Sequence, residues 1–252
     1  MTPRVSILNA VFDPLTFDET VAAVFDALDR GARGWLCTVN VATLMMMRDD
    51  PKLQSFADCA LLVVADGQPL VWFAPLFGGR LPERVAGVDL MDSLCERAAR
   101  EGRGVYLLGA TAPIMARALE RLRQCHPGLR IDGTDGYFAP EAAAARAHAI
   151  RASGASLLFV GMGSPRQEAF ITEHWEPLGA GVAIGVGGSF DVFGGARFRA
   201  WRWVRRIGME WLFRLAQEPR RLLPRYLYTN WKFCLLVADA VLARLRQWWS
   251  LD

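Results

Sequence analysis

The chain has 252 residues, of which 52% are hydrophobic and 22% charged. That is enough apolar material for one substantial core with a small appendage, and it excludes a disordered protein. The net charge of +3 is unevenly placed: residues 197–252 hold twelve Arg/Lys against four Asp/Glu, a net +8, which leaves about −5 on residues 1–196.

The opening, "MTPRVSILNAVFDPLTFDE", meets Pro14 and three acids before any signal-peptide core forms, so a cytoplasmic chain is expected. From there, short apolar runs alternate with helix-length segments. "RVSIL", "GWLCTV", "ALLVVA", "GVYLLGA", "LRIDG", "SLLFVGMG" and "GVAIGVGG" read as strands. Between them, "VDLMDSLCERAAREG" and "TAPIMARALERLRQCHP" carry helical spacing, the second with Ile114, Ala118, Leu119 and Leu122 on one face. Strands apolar on both faces and separated by helices predict a Rossmann-like α/β fold, a mostly parallel sheet covered on both sides. The pattern stops near residue 197. Pro219 and Pro224 are expected to divide the remaining tail into short helices ahead of a longer one, roughly 229–249. Two units follow: an α/β catalytic domain, 1–196, and a helical, basic and aromatic appendage, 197–252. No segment reaches the roughly 18 uninterrupted apolar residues of a membrane span. The runs around 61–79 and 233–243 are interrupted by Asp66 and Asp239.

Six of the nine tryptophans (Trp201, Trp203, Trp211, Trp231, Trp248, Trp249) fall in that basic tail. Arginine interleaved with tryptophan suits nucleic acid, an anionic membrane surface, or a helical cap packed on the main domain. The five cysteines (Cys37, Cys59, Cys95, Cys125, Cys234) are odd in number and form no C-x-x-C pair, which predicts buried, reduced thiols. His126, His148 and His174 sit in helical patterns without metal-ligand spacing, as surface residues.

Ligands of open α/β sheets bind beyond the carboxyl ends of the strands. Five predicted strand ends carry small or polar groups: Thr38 and Asn40; Asp66 and Gly67; Gly109 to Thr111; Ser164, Arg166 and Gln167; Ser189 and Asp191. Each alone reads as a turn or helix cap, but their coincidence on one rim favours a site. Asp66, set before a glycine in the apolar run "LLVVADGQPLVWFAPLFGG", is either a cap or an acid delivered to a cleft. "GMGSPRQE" puts Pro165 at a helix start whose N–H groups, with Arg166 beside them, suit a phosphate. As G-x-G-x-x-G fingerprints, "GMGSPR" and "GVGGSF" both fail at the third glycine, so nicotinamide and flavin are disfavoured. P-loop and G-x-S-x-G motifs are absent, and "DGTDG", with Asp132 and Asp135, reads as an Asx turn more readily than as metal ligands. What remains is one placed acid, hydroxyls, amides and arginines. Such a set can deprotonate a hydroxyl and hold an anionic leaving group.

Taken together, "TVNVATLMMMRDDP", "VVADGQPLVW", "LPERVAGVDLMDSL", "VYLLGA", "GTDGYF", "LLFVGMGSPRQEAFI", "GVGGSFDVFGG" and "RRIGMEWLFRLAQEPRRLLPRYL" resemble the WecG/TagA/CpsF glycosyltransferases, glycosyltransferase family 26. Ala65 departs from the proline that many members carry there. The resemblance implies an inverting, metal-independent enzyme without a cofactor. It would move a sugar, often of the N-acetylmannosamine type, from a UDP-sugar to a polyprenyl-diphosphate-linked saccharide in bacterial surface-polysaccharide assembly. It implies Asp66 as general base, with Thr38 and Gln167 in the catalytic set. It places Asn40, Arg84, Arg214, Arg221 and Arg225 against the substrates, with Gly109, Ser164, Arg166 and Asp191 added as substrate-binding residues by the strand-end reading. It implies that the tail closes over the site and attaches to the inner face of the cytoplasmic membrane. A homo-oligomer is compatible with this, and a nucleic-acid partner is not expected, because it leaves the strand-end motifs unexplained. A non-catalytic nucleotide-sugar-binding scaffold at the membrane is the alternative that intact Asp66, Thr38 and Gln167 oppose.

Overall fold

The structure is a computed structural model that describes residues 3–249, with side chains described to Arg246. In chain order its elements are β1 (Val5–Ile7), β2 (Ala10–Phe12), α1 (Phe17–Asp29), β3 (Gly34–Val39), α2 (Val41–Asp49), α3 (Pro51–Asp58), β4 (Leu62–Ala65) and α4 (Gln68–Phe73). There follow α5 (Gly87–Arg100), β5 (Gly104–Gly109), α6 (Ala112–Cys125), β6 (Arg130–Thr134), α7 (Ala143–Ala152), β7 (Leu157–Gly161), α8 (Arg166–Glu173), α9 (Trp175–Leu178) and β8 (Val182–Gly185). α10 (Ser189–Phe193) follows the last strand, and the tail contributes α11 (Arg202–Arg206), α12 (Glu210–Gln217) and α13 (Pro219–Trp249).

Six strands form one parallel sheet in the order β4-β3-β8-β7-β5-β6. Its inner strands β5, β7 and β8 are buried on both faces, whereas the edge strand β6 exposes Arg130 and Asp132, and two apolar layers cover the sheet. One holds Leu44, Met45, Phe170 and Ile171; the other holds Phe25, Met91, Leu94 and Leu119. The α/β expectation is met, with every sheet pairing parallel.

"RVSIL" behaves differently from the other runs. It turns back on itself at Leu8 and Asn9 and pairs antiparallel with Ala10–Phe12, outside the parallel sheet. The two-stranded ribbon is pinned to the edge strand β4 through Asp13, whose N–H donates to the Val63 carbonyl and whose carboxylate accepts from the Val63 N–H, both at 2.8 Å. Arg4 neutralises that acid at 2.7 Å. An otherwise open sheet edge is thereby occupied, which guards it against pairing with another chain.

Local signals explain where the helices start. Thr16 and Glu19 make a capping box on α1, and Asn40 caps α2 by accepting from the Thr43 N–H at 3.0 Å. Pro165 lies one residue before α8, not inside it. On α6, Met115 and not Ile114 completes the buried stripe, because the helix opens at Ala112 and turns Ile114 to the rim. The thiols correct an expectation: Cys37 and Cys95 are buried, but Cys59, just past the end of α3, and Cys125 and Cys234 on their helices are exposed. His148 is exposed, whereas His174 is half-buried and His126 is drawn against Asp92 at 2.9 Å.

The tail gives the largest departure. Pro219 opens α13 at its first turn, and Pro224 sits inside the same continuous helix. Pro224 removes only the N–H that would meet the Arg220 carbonyl, and both residues are exposed, so that carbonyl is not sealed from solvent. Packing keeps the helix whole. Leu222, Thr229, Phe233 and Val237 bury one stripe of α13, and Asp49 on α2 receives both the Tyr228 hydroxyl and the Lys232 ammonium. Trp248 and Trp249 lie outside the described side chains.

Gly109 ends β5 at φ +152°, where a Cβ would fall 2.6 Å from the Gly161 carbonyl carbon; Gly136 packs onto Gly109 from the other side. Gly109→Ala should therefore destabilise the fold by about 2–4 kcal/mol, since strain and a backbone clash add. Urea unfolding reads the change directly, and an unchanged midpoint would mean that the strands can part at no cost.

Candidate active site

The carboxyl ends of β3, β4, β7 and β8 lie side by side and open toward α12 and α13. Asp66 follows β4, held in place by its N–H on the Val39 carbonyl (2.8 Å), while the next segment is tied back by Val85 N–H on the Ala65 carbonyl (2.8 Å). Gly67 begins the turn into α4 and passes so close to Asn40 that a Cβ there would lie 3.3 Å from the Asn40 Cα. The turn reading of Asp-Gly is thus true of the backbone, and the Asp66 side chain points elsewhere.

It points at the start of α5. A Cβ on Gly87 would lie 3.7 Å from Asp66 Oδ2 and 3.8 Å from Thr38 Oγ1, so the two side chains converge over that helix N-terminus. The Thr38 hydroxyl donates to the Gly185 carbonyl at 3.2 Å, which orients its oxygen. Asp66 is half-buried. Burial pushes its carboxyl up to about 6, against the pull of the Arg84 and Arg214 guanidiniums and the Gly87 N–H; Glu210 pushes in the same direction as burial.

Arg84 reaches in from the segment before α5 and pairs with Glu210 of α12 at 2.9 Å. Arg214, one helical turn beyond Glu210, faces the same acid. Among the described residues Arg214 has no carboxylate within ion-pair distance. Tyr226 of α13 closes the far side, near Asp66, Arg214, Arg221 and Arg225; burial raises its phenol and the three arginines oppose that shift.

A second cluster sits beside this one at the end of β7. Gln167 is buried with both ends of its amide engaged: Oε1 accepts from the Gly187 N–H at 3.1 Å, and Nε2 donates to Glu168 at 2.9 Å. It ties α8 to the loop after β8. Glu168 is buried too, and desolvation raises its carboxyl against the Gln167 hydrogen bond and the charge of Arg225. Among the described residues Ser164 Oγ, Glu168 Oε2 and Arg225 Nε are buried without a partner at good hydrogen-bond geometry, although the Ser164 hydroxyl lies near enough to Glu168 to lower its carboxyl.

The remaining expected residues lie less centrally. Asp191 is committed to Arg197 at 3.1 Å, and Arg197 also holds Glu218 at 2.6 Å. Arg221 is mostly exposed and pairs with the same Glu218. Arg166 is exposed and reaches only the Gly136 carbonyl, at 3.5 Å. Asn40 Oδ1 is occupied by its own helix cap, which leaves its amide N–H groups available. Gly109 acts through its backbone. Asp135 makes the expected Asx turn, accepting from Tyr137 N–H at 3.1 Å, and pairs with Arg146. Three residues that sequence reasoning missed complete the site: Glu210, Tyr226 and Glu168. Glu210 had one available signal, its four-residue spacing from Arg214.

A family model described as the glycosyl transferase WecG/TagA/CpsF family matches residues 5–247. The chain belongs to the WecG/TagA/CpsF family. Membership implies glycosyltransferase activity in surface-polysaccharide biosynthesis, and with it a sugar donor and an acceptor. In this transferase the match takes in both the strand-end rim and the tail helices that complete it. Positive charge in the cleft comes from arginines, whose planar forks suit phosphate oxygens. Among the described residues no three His, Cys, Asp or Glu side chains converge as a metal-binding group.

Proposed function

We propose that the transferase moves a sugar from a UDP-sugar to a polyprenyl-diphosphate-linked saccharide by a single inverting displacement, with Asp66 as general base and no metal. The observation that carries this reading is Asp66 itself, a half-buried acid whose carboxyl burial pushes up to about 6 against the pull of Arg84 and Arg214. The acceptor hydroxyl oxygen attacks the anomeric carbon while its proton passes to Asp66. The bond from that carbon to the phosphate oxygen breaks, and UDP departs with the electron pair. A base of this pKa is ionised at neutral pH yet still takes a proton in the transition state.

The departing diphosphate needs cations, and Arg214 and Arg225 stand near Asp66 and Tyr226 with no carboxylate within ion-pair distance among the described residues. The N-terminus of α5, whose Gly87 N–H faces Asp66, adds a partial positive charge. Thr38 orients the acceptor hydroxyl beside the base. Gln167 acts one step back, fixing the loop after β8.

The tail supports a membrane-surface location. No helix among the described residues is long and apolar enough to cross a membrane. Yet Phe198, Trp201 and Trp203 are exposed, the two indoles stacked at 6.3 Å, and α13 exposes Leu223, Leu227, Trp231 and Leu235 at four-residue spacing. Arg202, Arg206 and Arg220 are exposed in the same segment. Aromatic and aliphatic stripes among arginines are what an anionic interface binds, and the inner face of the cytoplasmic membrane offers both the surface and a lipid-linked acceptor.

The test is a panel of UDP-sugars offered with a lipid-diphosphate acceptor in EDTA. Transfer from one donor with inverted anomeric configuration is expected. Failure of every UDP-sugar, or transfer that returns only with a divalent ion, would overturn the reading.

A further inference from the structure

Glu210 is a buried acid that the displacement described above does not use. An acidic residue in the first turn of a helix ordinarily lies in water and favours the helix dipole. Here the side chain is 12% exposed and crosses from α12 to Arg84, itself 14% exposed, at 2.9 Å. The start of α12 is seated hard: a Cβ on Gly208 would lie 2.8 Å from both the Gln68 Cγ and the Trp72 ring of α4, the helix that follows Asp66. Arg84 belongs to the short segment that Val85 ties to the strand carrying Asp66. One ion pair therefore joins the tail to the segment beside the base.

We propose that Glu210 is the positioning residue through which α12 completes the site, holding the Arg84 guanidinium away from Asp66 and setting a negative charge against the Asp66 carboxylate. The proposal rests on Asp66 being the base. With Glu210 absent, the Arg84 charge that already acts on Asp66 loses the carboxylate that holds it. Pairing with Asp66 instead would weaken the base and block the approach of a hydroxyl. The docked tail thus brings an acid that opposes Arg84 as well as an arginine, Arg214, that acts on the base.

Charged and titratable groups face Asp66 from each neighbouring element: Arg84 from the segment before α5, Glu210 and Arg214 from α12, and Tyr226 from α13. The Gly87 N–H and the Thr38 hydroxyl face it from α5 and β3. Removing the Glu210 charge lowers the proton affinity of Asp66, and removing the Arg84 charge raises it.

The experiment is the pH profile of kcat/KM for the full chain, for Glu210→Gln and for Arg84→Gln. The acid limb of the wild type should lie near pH 6. It should move down by about 0.5–1 unit in Glu210→Gln and up in Arg84→Gln, since one nearby charge changes in each. Glu210→Asp should return the limb part of the way. A purely structural contact would lower the rate at every pH and leave the limb in place. A wild-type profile without an acid limb sinks the base assignment, and this proposal with it. A wild-type limb that stays fixed in both variants overturns the role of Glu210 alone. If Glu210→Gln does not fold, Arg84→Gln decides by the direction of its shift.

Discussion

Asp66→Asn is expected to lower the transfer rate about a thousandfold while leaving the protein folded and more stable at pH 8 than the wild type. The first effect follows from losing the group that accepts the acceptor proton, since general-base catalysis contributes roughly 10²–10⁴. The second follows from linkage. The Asp66 carboxyl stands at about 6 in the folded chain against 3.8 for the free side chain. Between those values the native state binds a proton that the unfolded state has released, so stability falls as pH rises through the window. Above pH 7 the ionised acid costs the fold at most about 3 kcal/mol, at 1.36 kcal/mol per pKa unit. Asparagine carries no charge to desolvate and recovers much of that cost. Thermal unfolding of both proteins at pH 4 and pH 8 checks it: the gap between them should be present at pH 8 and closed at pH 4. A variant that turns over at the wild-type rate, or one that melts lower at pH 8, would contradict the assignment of this acid. The two measurements are independent, because one reads chemistry and the other reads burial.

The parts of the fold that were legible in the sequence are those set by local pattern. "GWLCTV" is β3 residue for residue, and the break at Asp66–Gly67 separates β4 from α4 where the apolar run first met a charge and a glycine. A buried parallel strand is a continuous apolar run, so its ends show in the sequence. The β1–β2 ribbon was hidden because its turn at Leu8 (φ 54°) and Asn9 carries no glycine or proline. The continuity of α13 was hidden for a different reason. Pro224 is a local signal to stop, and the burial of Leu222, Phe233 and Val237 against the body, a distant cause, overrides it.

The site divides along the same line. Thr38, Asn40, Asp66 and Gln167 stand at strand ends and could be found one strand at a time. Glu210 and Tyr226 join them only because α12 and α13 fold back on the strand ends; the spacing of Glu210 from Arg214 puts both on one helix face but does not say what that face meets. The structure also separates residues that the motifs had grouped. Arg166 and Gln167 are neighbours in "SPRQE", yet one is exposed at Gly136 and the other is buried with its amide fully engaged. Adjacent helix positions point about 100° apart, so a motif does not imply a shared surface.

The triple variant Trp201→Ser, Trp203→Ser, Trp231→Ser should weaken binding to anionic vesicles at least about a hundredfold. All three indoles are more than half exposed, so their loss removes little from the core. Each large apolar side chain that leaves water gains roughly 1.5–3 kcal/mol, so three partly inserted rings account for a hundredfold with margin. Charge supplies the rest: an arginine near an anionic surface contributes about 1 kcal/mol, and that share should fade in high salt while the tryptophan share persists. Transfer to a lipid-linked acceptor in vesicles should fall with binding, and transfer to a short-chain acceptor in solution should hold. Vesicle binding that survives the three substitutions would remove the membrane role from these side chains. If the variant instead shifts the solution mass from dimer to monomer, the exposed stripe of α13 packs against a second copy of the chain. The two outcomes demand different chemistry of the same surface, since a membrane takes arginine headgroups beside apolar rings, whereas a self-complementary helix face would bring Arg220, Arg244 and their counterparts together and repel.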